Sequence, residues 1–162
     1  MNKIQGKYNK LVFYVEACES GSMFTSLPNN TKIYALSAAN PSESSWGTYC
    51  SPQDVVQGKH IGSCLGDLFS VNFLEDSEDS DIFSETLEQQ YQIIKEKTDK
   101  SHVLQWGDMS FKNDKVSEYI AYRKGLSFKR GIPNINQLRR NGRENNPKVS
   151  MNSRTIKVQT LM

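Results

Sequence analysis

An α/β fold with a parallel sheet flanked by helices and an irregular C-terminal tail is predicted from three features of the 162-residue sequence. Leu11 to Val15 is an unbroken apolar run, mostly β-branched or aromatic, the pattern of a strand buried on both faces, which favours a parallel sheet. A second such run, Lys32-Ile33-Tyr34-Ala35-Leu36, follows a segment long enough for a short helix between Ser22 and Leu27. The two runs and their connection read as a small βαβ crossover. Downstream, apolar residues twice recur at helical spacing, and periodicity disappears beyond Gly125.

The remaining elements follow in chain order. Residues 40 to 64, opened by Asn40-Pro41 and rich in Ser, Gly and Pro, read as one long loop. From Leu65, the positions Leu68, Phe69 and Phe73, with Val71 and Leu74 beside them, form a broad apolar helical stripe that the acidic run Glu75 to Asp81 is expected to end. The next helix is expected at 84 to 98, with Ser84 as N-cap, Glu85 in the first turn, and Phe83, Leu87, Tyr91 and Ile94 on one face. Lys95 and Lys97 suit its C-terminal end. Ser101 to Trp106 reads as a short strand and Val116 to Tyr122 as a strand or a helical turn. The chain thus divides into one domain over 1–124 and a basic, Asn-rich linker or tail over 125–162.

Composition narrows the function classes. At 18.4 kDa, with 36% hydrophobic and 23% charged residues and a mean hydropathy of -0.62, the chain is long enough for one domain with a real core and polar for a compact fold. No stretch approaches the roughly 20 apolar residues that span a bilayer, and no signal-peptide pattern is visible in this chain. Residues 1 to 122 hold 10 basic and 17 acidic side chains, whereas 123 to 162 hold 10 basic and only Glu144. That basic tail carries a single aromatic, Phe128, so it lacks a stacking platform for single-stranded nucleic acid, and no nucleic-acid partner is expected. No metal or cofactor is expected either.

Three cysteines leave at least one unpaired. The segment Val15-Glu16-Ala17-Cys18-Glu19-Ser20-Gly21-Ser22 puts a thiol where a buried strand ends and small residues begin. Side chains at the C-terminal edge of a parallel sheet face the crevice where ligands bind, and a helix starting just after would lower the thiol pKa through its dipole. Composition alone still favours a buried structural cysteine.

The wording of three segments changes that balance. Phe13 to Phe24, reading FYVEACESGSMF, is followed by Ala38-Ala39-Asn40-Pro41 with Glu43-Ser44-Ser45-Trp46, then by Leu65-Gly66-Asp67-Leu68-Phe69-Ser70-Val71-Asn72 and Leu74-Glu75-Asp76-Ser77. In this order they resemble the legumain family, asparaginyl endopeptidases of vacuoles and lysosomes. The similarity runs from about Lys7 to about Gly107, where Ser101 to Gly107 also matches. It implies a partial caspase-like fold and a cysteine-type endopeptidase that cuts after Asn, less often Asp, with Cys18 as nucleophile. It also carries Glu16, Ser44 and Asp67 onto the pocket for the substrate Asn side chain.

Chemistry and resemblance agree on what such a site needs. A thiol attacks as thiolate, and a His within reach draws off its proton and later protonates the leaving amine. In legumains that His lies in a His-Gly motif upstream of the nucleophile, and no His precedes Cys18 in this chain. His60 and His102 read as a loop residue and a structural residue at a strand edge. The chain alone is therefore expected to be inactive and to need an N-terminal part of the core. Carboxylates in the pocket suit an Asn substrate, because they accept from its NH2 group and leave buried groups unpaired when an apolar side chain enters.

The resemblance extends to the loop, where plant members carry a disulfide, which assigns Cys50 and Cys64 as a pair and points to an oxidising compartment. Asn29-Asn30-Thr31 is a glycosylation sequon consistent with that compartment. Asn152 falls roughly where the family separates core from prodomain and is the expected processing site. Two alternatives stand beside this reading: a catalytically inactive caspase-like binding or scaffold protein, and a glycosylphosphatidylinositol transamidase. The wording after Cys18 and Glu43-Ser44-Ser45 fits legumain better.

Overall fold

The structure, a computed structural model, describes residues 7–120 and 148–156. Most of the segment read as a linker, with the end of Val116 to Tyr122, lies outside the described residues. The central sheet has strand β1 (Leu11–Val15) parallel to β2 (Ile33–Ser37), in the register Leu11 to Ile33 through Val15 to Ser37. The crossover between them holds one short 3-10 turn, Ser20–Met23. Two elements depart from the expectation of a parallel sheet with 11–15 buried on both faces. The third strand, Leu104–Gly107, is antiparallel to β2, and β1 lies at the edge of the sheet and is half-buried, whereas every residue of β2 is buried. The sheet is mixed, and helices flank it in a manner consistent with a partial caspase-like fold.

The long loop carries structure that its composition conceals. Trp46–Thr48 forms β3, Val55–Val56 and Lys59–His60 form a hairpin of β4 and β5, and Gly66–Asp67 forms β6. The hairpin turns through Gln57 at φ 50° and Gly58 at φ 78°, the left-handed pair that two-residue hairpin turns require. Cys50 and Cys64 close this segment as a disulfide with their Cα atoms 3.9 Å apart. By chain entropy a loop of that size contributes on the order of 3 kcal/mol. Replacing both cysteines by Ser is expected to lower stability by about that much, read as a fall in the urea midpoint.

Helix α1 spans Leu68–Asp79. It begins three residues later than expected because Gly66 and Asp67 pair with Thr48 and Gly47 in β3. It runs through the acidic stretch, since Asp76 turns inward to accept from Ser80 Oγ, and the Ser80 amide closes the last turn on the Asp76 carbonyl. Helix α2 spans Leu87–Lys97, and its N-cap is Thr86, not Ser84. Thr86 and Gln89 make a reciprocal capping box, while Ser84 Oγ is engaged with Asp81. Leu87, Tyr91 and Ile94 are buried as the spacing predicts, but Phe83 lies before the helix and is exposed.

Leu104–Gly107 is β7, and Val116–Glu118 is a 3-10 turn. Tyr34 and Leu36 of β2 pack with Phe69, Leu87, Tyr91 and Ile94 to form the core between sheet and helices. On the other face, Phe24 of the crossover stacks beside Trp106, 6.4 Å between ring centroids. Part of the expected tail forms a strand: Ser150–Asn152 is β8, antiparallel to β3.

Candidate active site

Cys18 follows the C-terminal end of β1, and its position is set by an abrupt turn. Glu19 adopts φ 51° and ψ 24°, a left-handed conformation that a non-Gly residue holds only when its surroundings impose it. The surroundings do so through the backbone. The Glu19 amide donates to the Glu43 carbonyl at 2.7 Å, and the Gly21 amide to Ala39 at 3.0 Å. The buried Ser20 hydroxyl accepts from the Ala39 amide at 3.0 Å. A Cβ on Gly21 would meet Ala39, Asn40 and Pro41, each at 3.0 Å, so only Gly allows the loop to sit this close to residues 39–41.

Cys18 is the free cysteine, half-buried, with Sγ 3.8 Å from Ser45 Oγ. Burial pushes the thiol pKa up, but hydrogen bonds from the Ser45 amide and hydroxyl and from Ser44, with the Arg154 charge nearby, bring it below the ordinary value. A depressed pKa raises the thiolate fraction, the form that attacks. The guanidinium of Arg154 pairs with Glu19 next to the thiol.

Glu16 ends up beneath this loop. Its Oε2 accepts from the Ser70 amide at 2.8 Å and the Ser70 hydroxyl at 3.0 Å, both in the first turn of α1, so the carboxylate caps a helix N-terminus. Its Oε1 is buried without a partner. Burial raises the Glu16 pKa to about 7 against the lowering effect of Ser70, and the nearby charge of Asp67 raises it further. Asp67 stands at the N-cap of α1 in extended conformation with no side-chain cap bond. It receives a long hydrogen bond, 3.5 Å, from Ser153 Oγ. Burial raises its pKa as well. Ser45 Oγ completes the connection by donating to Ser153 Oγ at 3.2 Å.

Cys18, Ser44, Glu16 and Asp67 are thus brought to one place by the ends of β1 and β6, the segment before β3 and the start of α1. Both histidines are engaged by carboxylates. His60 Nδ1 is 2.7 Å from the buried Asp54, and His102 Nδ1 is 2.9 Å from Glu43. Neither is a hydrogen-bond partner of Cys18. Among the described residues, no group of His, Cys, Asp and Glu could hold a metal ion, and no helix is long and apolar enough to cross a membrane.

A model of the peptidase C13 family matches residues 1–130. The chain belongs to this family. It is similar to the vacuolar-processing enzyme delta-isozyme of Arabidopsis thaliana, 50% identical over 120 residues that cover 70% of the C13 chain and 26% of that enzyme. Legumain of Mus musculus is 41% identical over 131 residues, 81% of the C13 chain and 28% of the mouse protein, and legumain of Homo sapiens is 40% identical over the same length. The C13 chain spans about a quarter of the length of these curated relatives.

Sequence reasoning missed Ser45, Ser153 and Arg154. Ser45 stands beside Ser44 in the motif already singled out. For Ser153 and Arg154 no local signal existed, because they lie in a stretch without periodicity. Ser153 donates its amide to the Ser45 carbonyl at 3.0 Å, and β8 before it pairs Asn152 with Trp46, Met151 with Gly47 and Ser150 with Thr48. Lys148 fixes the start of this strand by donating to Asn72 Oδ1 at 3.0 Å and Glu75 Oε2 at 2.7 Å.

Proposed function

We propose that this chain is the C-terminal part of the core of a legumain-like cysteine endopeptidase that cuts after Asn and less often after Asp, with Cys18 as nucleophile and Glu16, Ser44 and Asp67 reading the substrate side chain. The observation that carries this reading is the orphaned Oε1 of Glu16, buried near Asp67 beside the Cys18 loop. An acceptor desolvated without a partner costs free energy on the order of 1–3 kcal/mol, and a substrate carboxamide NH2 would satisfy it. An apolar side chain would leave it orphaned, so the site discriminates by an unpaired buried group. The catalytic His comes from an N-terminal part of the core, since no His precedes Cys18 in this chain. The name of the plant relatives, vacuolar-processing enzyme, supports action in a vacuole or the corresponding lysosome, and Asn-containing proteins and peptides are the proposed substrates.

The reading is tested above pH 7, where the Glu16 carboxyl is ionised and accepts, on the chain joined to an upstream segment bearing a His-Gly motif, with paired peptides that differ only in Asn or Leu before the cut bond. Glu16→Gln presents an NH2 group where the wild type presents an acceptor. Its preference for Asn over Leu is expected to fall about 10-fold or more, from the loss of one buried hydrogen bond of about 1.5–3 kcal/mol. An unchanged preference would remove Glu16 from the pocket.

Asn152 is the proposed processing site. The sequence places it in a linker or tail, whereas β8 pairs it with Trp46 and its Oδ1 accepts from the Arg154 amide at 3.0 Å. Cleavage there requires β8 to leave β3. When the chain is treated with an active legumain at acidic pH and its fragments are mapped by mass spectrometry, a new C-terminus at Asn152 is expected. Lys148→Ala, which removes the anchor on α1, is expected to speed its appearance several-fold. A tail left intact while the body is cut would sink the assignment.

A further inference from the structure

We infer that Asn29 is an acceptor for N-linked glycosylation, a covalent site separate from the peptidase chemistry. Asn29-Asn30-Thr31 is the one Asn-Xaa-Ser/Thr triplet in the 162 residues without a blocking proline, for Asn40-Pro41-Ser42 carries one. The motif alone is short enough to arise by chance, and three further observations support it.

The first is placement. Asn29 and Asn30 are exposed at a turn in the crossover from β1 to β2, and among the described residues the Asn29 carboxamide is in no hydrogen bond. Asn40 differs in both respects: its Oδ1 accepts from the Ser42 amide and hydroxyl, and proline follows it. The turn is tied down on the protein side. Thr31 Oγ1 donates to the Pro28 carbonyl at 2.9 Å, Tyr8 donates its hydroxyl to the Thr31 carbonyl at 3.1 Å, and the Leu11 amide donates to Lys32 at 3.0 Å. A bulky group on Asn29 therefore replaces water without breaking a contact.

The second is compartment. The Cys50–Cys64 disulfide is a bond that forms and persists in oxidising surroundings such as the lumen of the secretory pathway, where oligosaccharide is transferred to sequons. The third is direction. Asn29 precedes β2, while Cys18 and Ser45 gather beyond the opposite end of the strands, roughly 16 Å away along a five-residue strand. A glycan at the near end leaves the thiol and its pocket open to a peptide.

The transfer balances without a redox step. A bond forms between Asn29 Nδ2 and the anomeric carbon of an oligosaccharide carried on a polyprenyl diphosphate. The bond from that carbon to the diphosphate oxygen breaks, Nδ2 gives up one proton, and the polyprenyl diphosphate leaves.

The test is translation of the whole chain behind a cleavable signal sequence in the presence of microsomes, scored only on the protease-protected fraction, so that the readout does not depend on folding. The expected result is one added oligosaccharide, removed by a glycopeptide amidase that leaves an aspartate at that position. Asn29→Gln and Thr31→Val should abolish it, and Thr31→Ser should keep it. A protected wild-type chain of unmodified mass, or a glycan that survives Asn29→Gln, would overturn the assignment. Neither result bears on Cys18, so the peptidase reading is tested separately.

Discussion

Cys18→Ala is expected to lower kcat/KM for an Asn-containing peptide by at least about 10^3-fold in a chain extended upstream through a His-Gly motif, and the 162-residue chain alone is expected to show no cleavage. The reason lies in what surrounds the thiol. Ser45, Ser44 and Arg154 stabilise the thiolate, so attack is prepared. Acylation also needs a proton for the leaving amine, and both histidines are engaged with carboxylates and neither is hydrogen-bonded to the thiol. Loss of a positioned general acid-base costs roughly 10^2 to 10^4-fold. The sheet adds a second requirement, since β1 lies at its edge and, among the described residues, pairs only with β2. A half-buried apolar strand with one unpaired edge gains stability from a further strand beside it. The assay is peptide hydrolysis by the short and extended chains and their Cys18→Ala variants. Hydrolysis by the short chain that Cys18→Ala abolishes would mean that His60 or His102 reaches the thiol, and would refute the need for an upstream base. A short chain that stays silent, together with an extended chain that is also silent, would favour the inactive binding protein.

Stability is expected to fall as pH rises through about 7, with Glu16 as a main contributor. Its folded-state pKa is about 7 against an ordinary value of 4.5. Below 4.5 the carboxyl is protonated in both states and has no effect. Between 4.5 and 7 the unfolded chain gives up its proton first, so it binds fewer protons than the native state and unfolding becomes easier. Above 7 the loss is complete, about 3 kcal/mol from this one group at about 1.36 kcal/mol for each pKa unit. Glu85, raised in the same direction by burial and by the buried Asp76 beside it, steepens the trend. Carboxylates with lowered values, among them Glu43, stabilised by the Asn40 amide and His102, and Asp54, held by His60, act the other way and only at more acidic pH. Urea midpoints at about pH 5 and about pH 8 are expected to show the native chain more stable at the lower pH and Glu16→Gln with a smaller difference. Equal midpoints for the native chain would contradict the burial of these groups.

Much of this protein could be read locally. The apolar runs at 11–15 and 33–36 form adjacent parallel strands, as their unbroken apolar pattern predicts. Leu87, Tyr91 and Ile94 mark the inner face of α2 through helical spacing alone. Motifs in the chain located Cys18, Glu16, Ser44 and Asp67, residues that the structure brings together. Local pattern failed where several signals compete. Ser84 and Thr86 are both good N-caps, and the choice fell to Thr86 because Gln89 completes the box while Asp81 takes Ser84. The acidic run after Phe73 looks like a helix end, yet Asp76 turns inward and Tyr49 and Lys148 engage Glu75.

The sequence by itself determined the two central strands, the helical faces and the thiol at the end of a strand, since these depend on the order of neighbouring side chains. Only the tertiary structure decided the antiparallel β7, the sheet of β6, β3 and β8, and the presence of Ser153 and Arg154 at the thiol. Strands of two or three residues bury too little to form alone and exist through their partners. Arg154 lies 135 residues from Glu19 in the chain, a separation across which composition and periodicity carry no information, and the ladder between β8 and β3 is what brings its charge to Cys18.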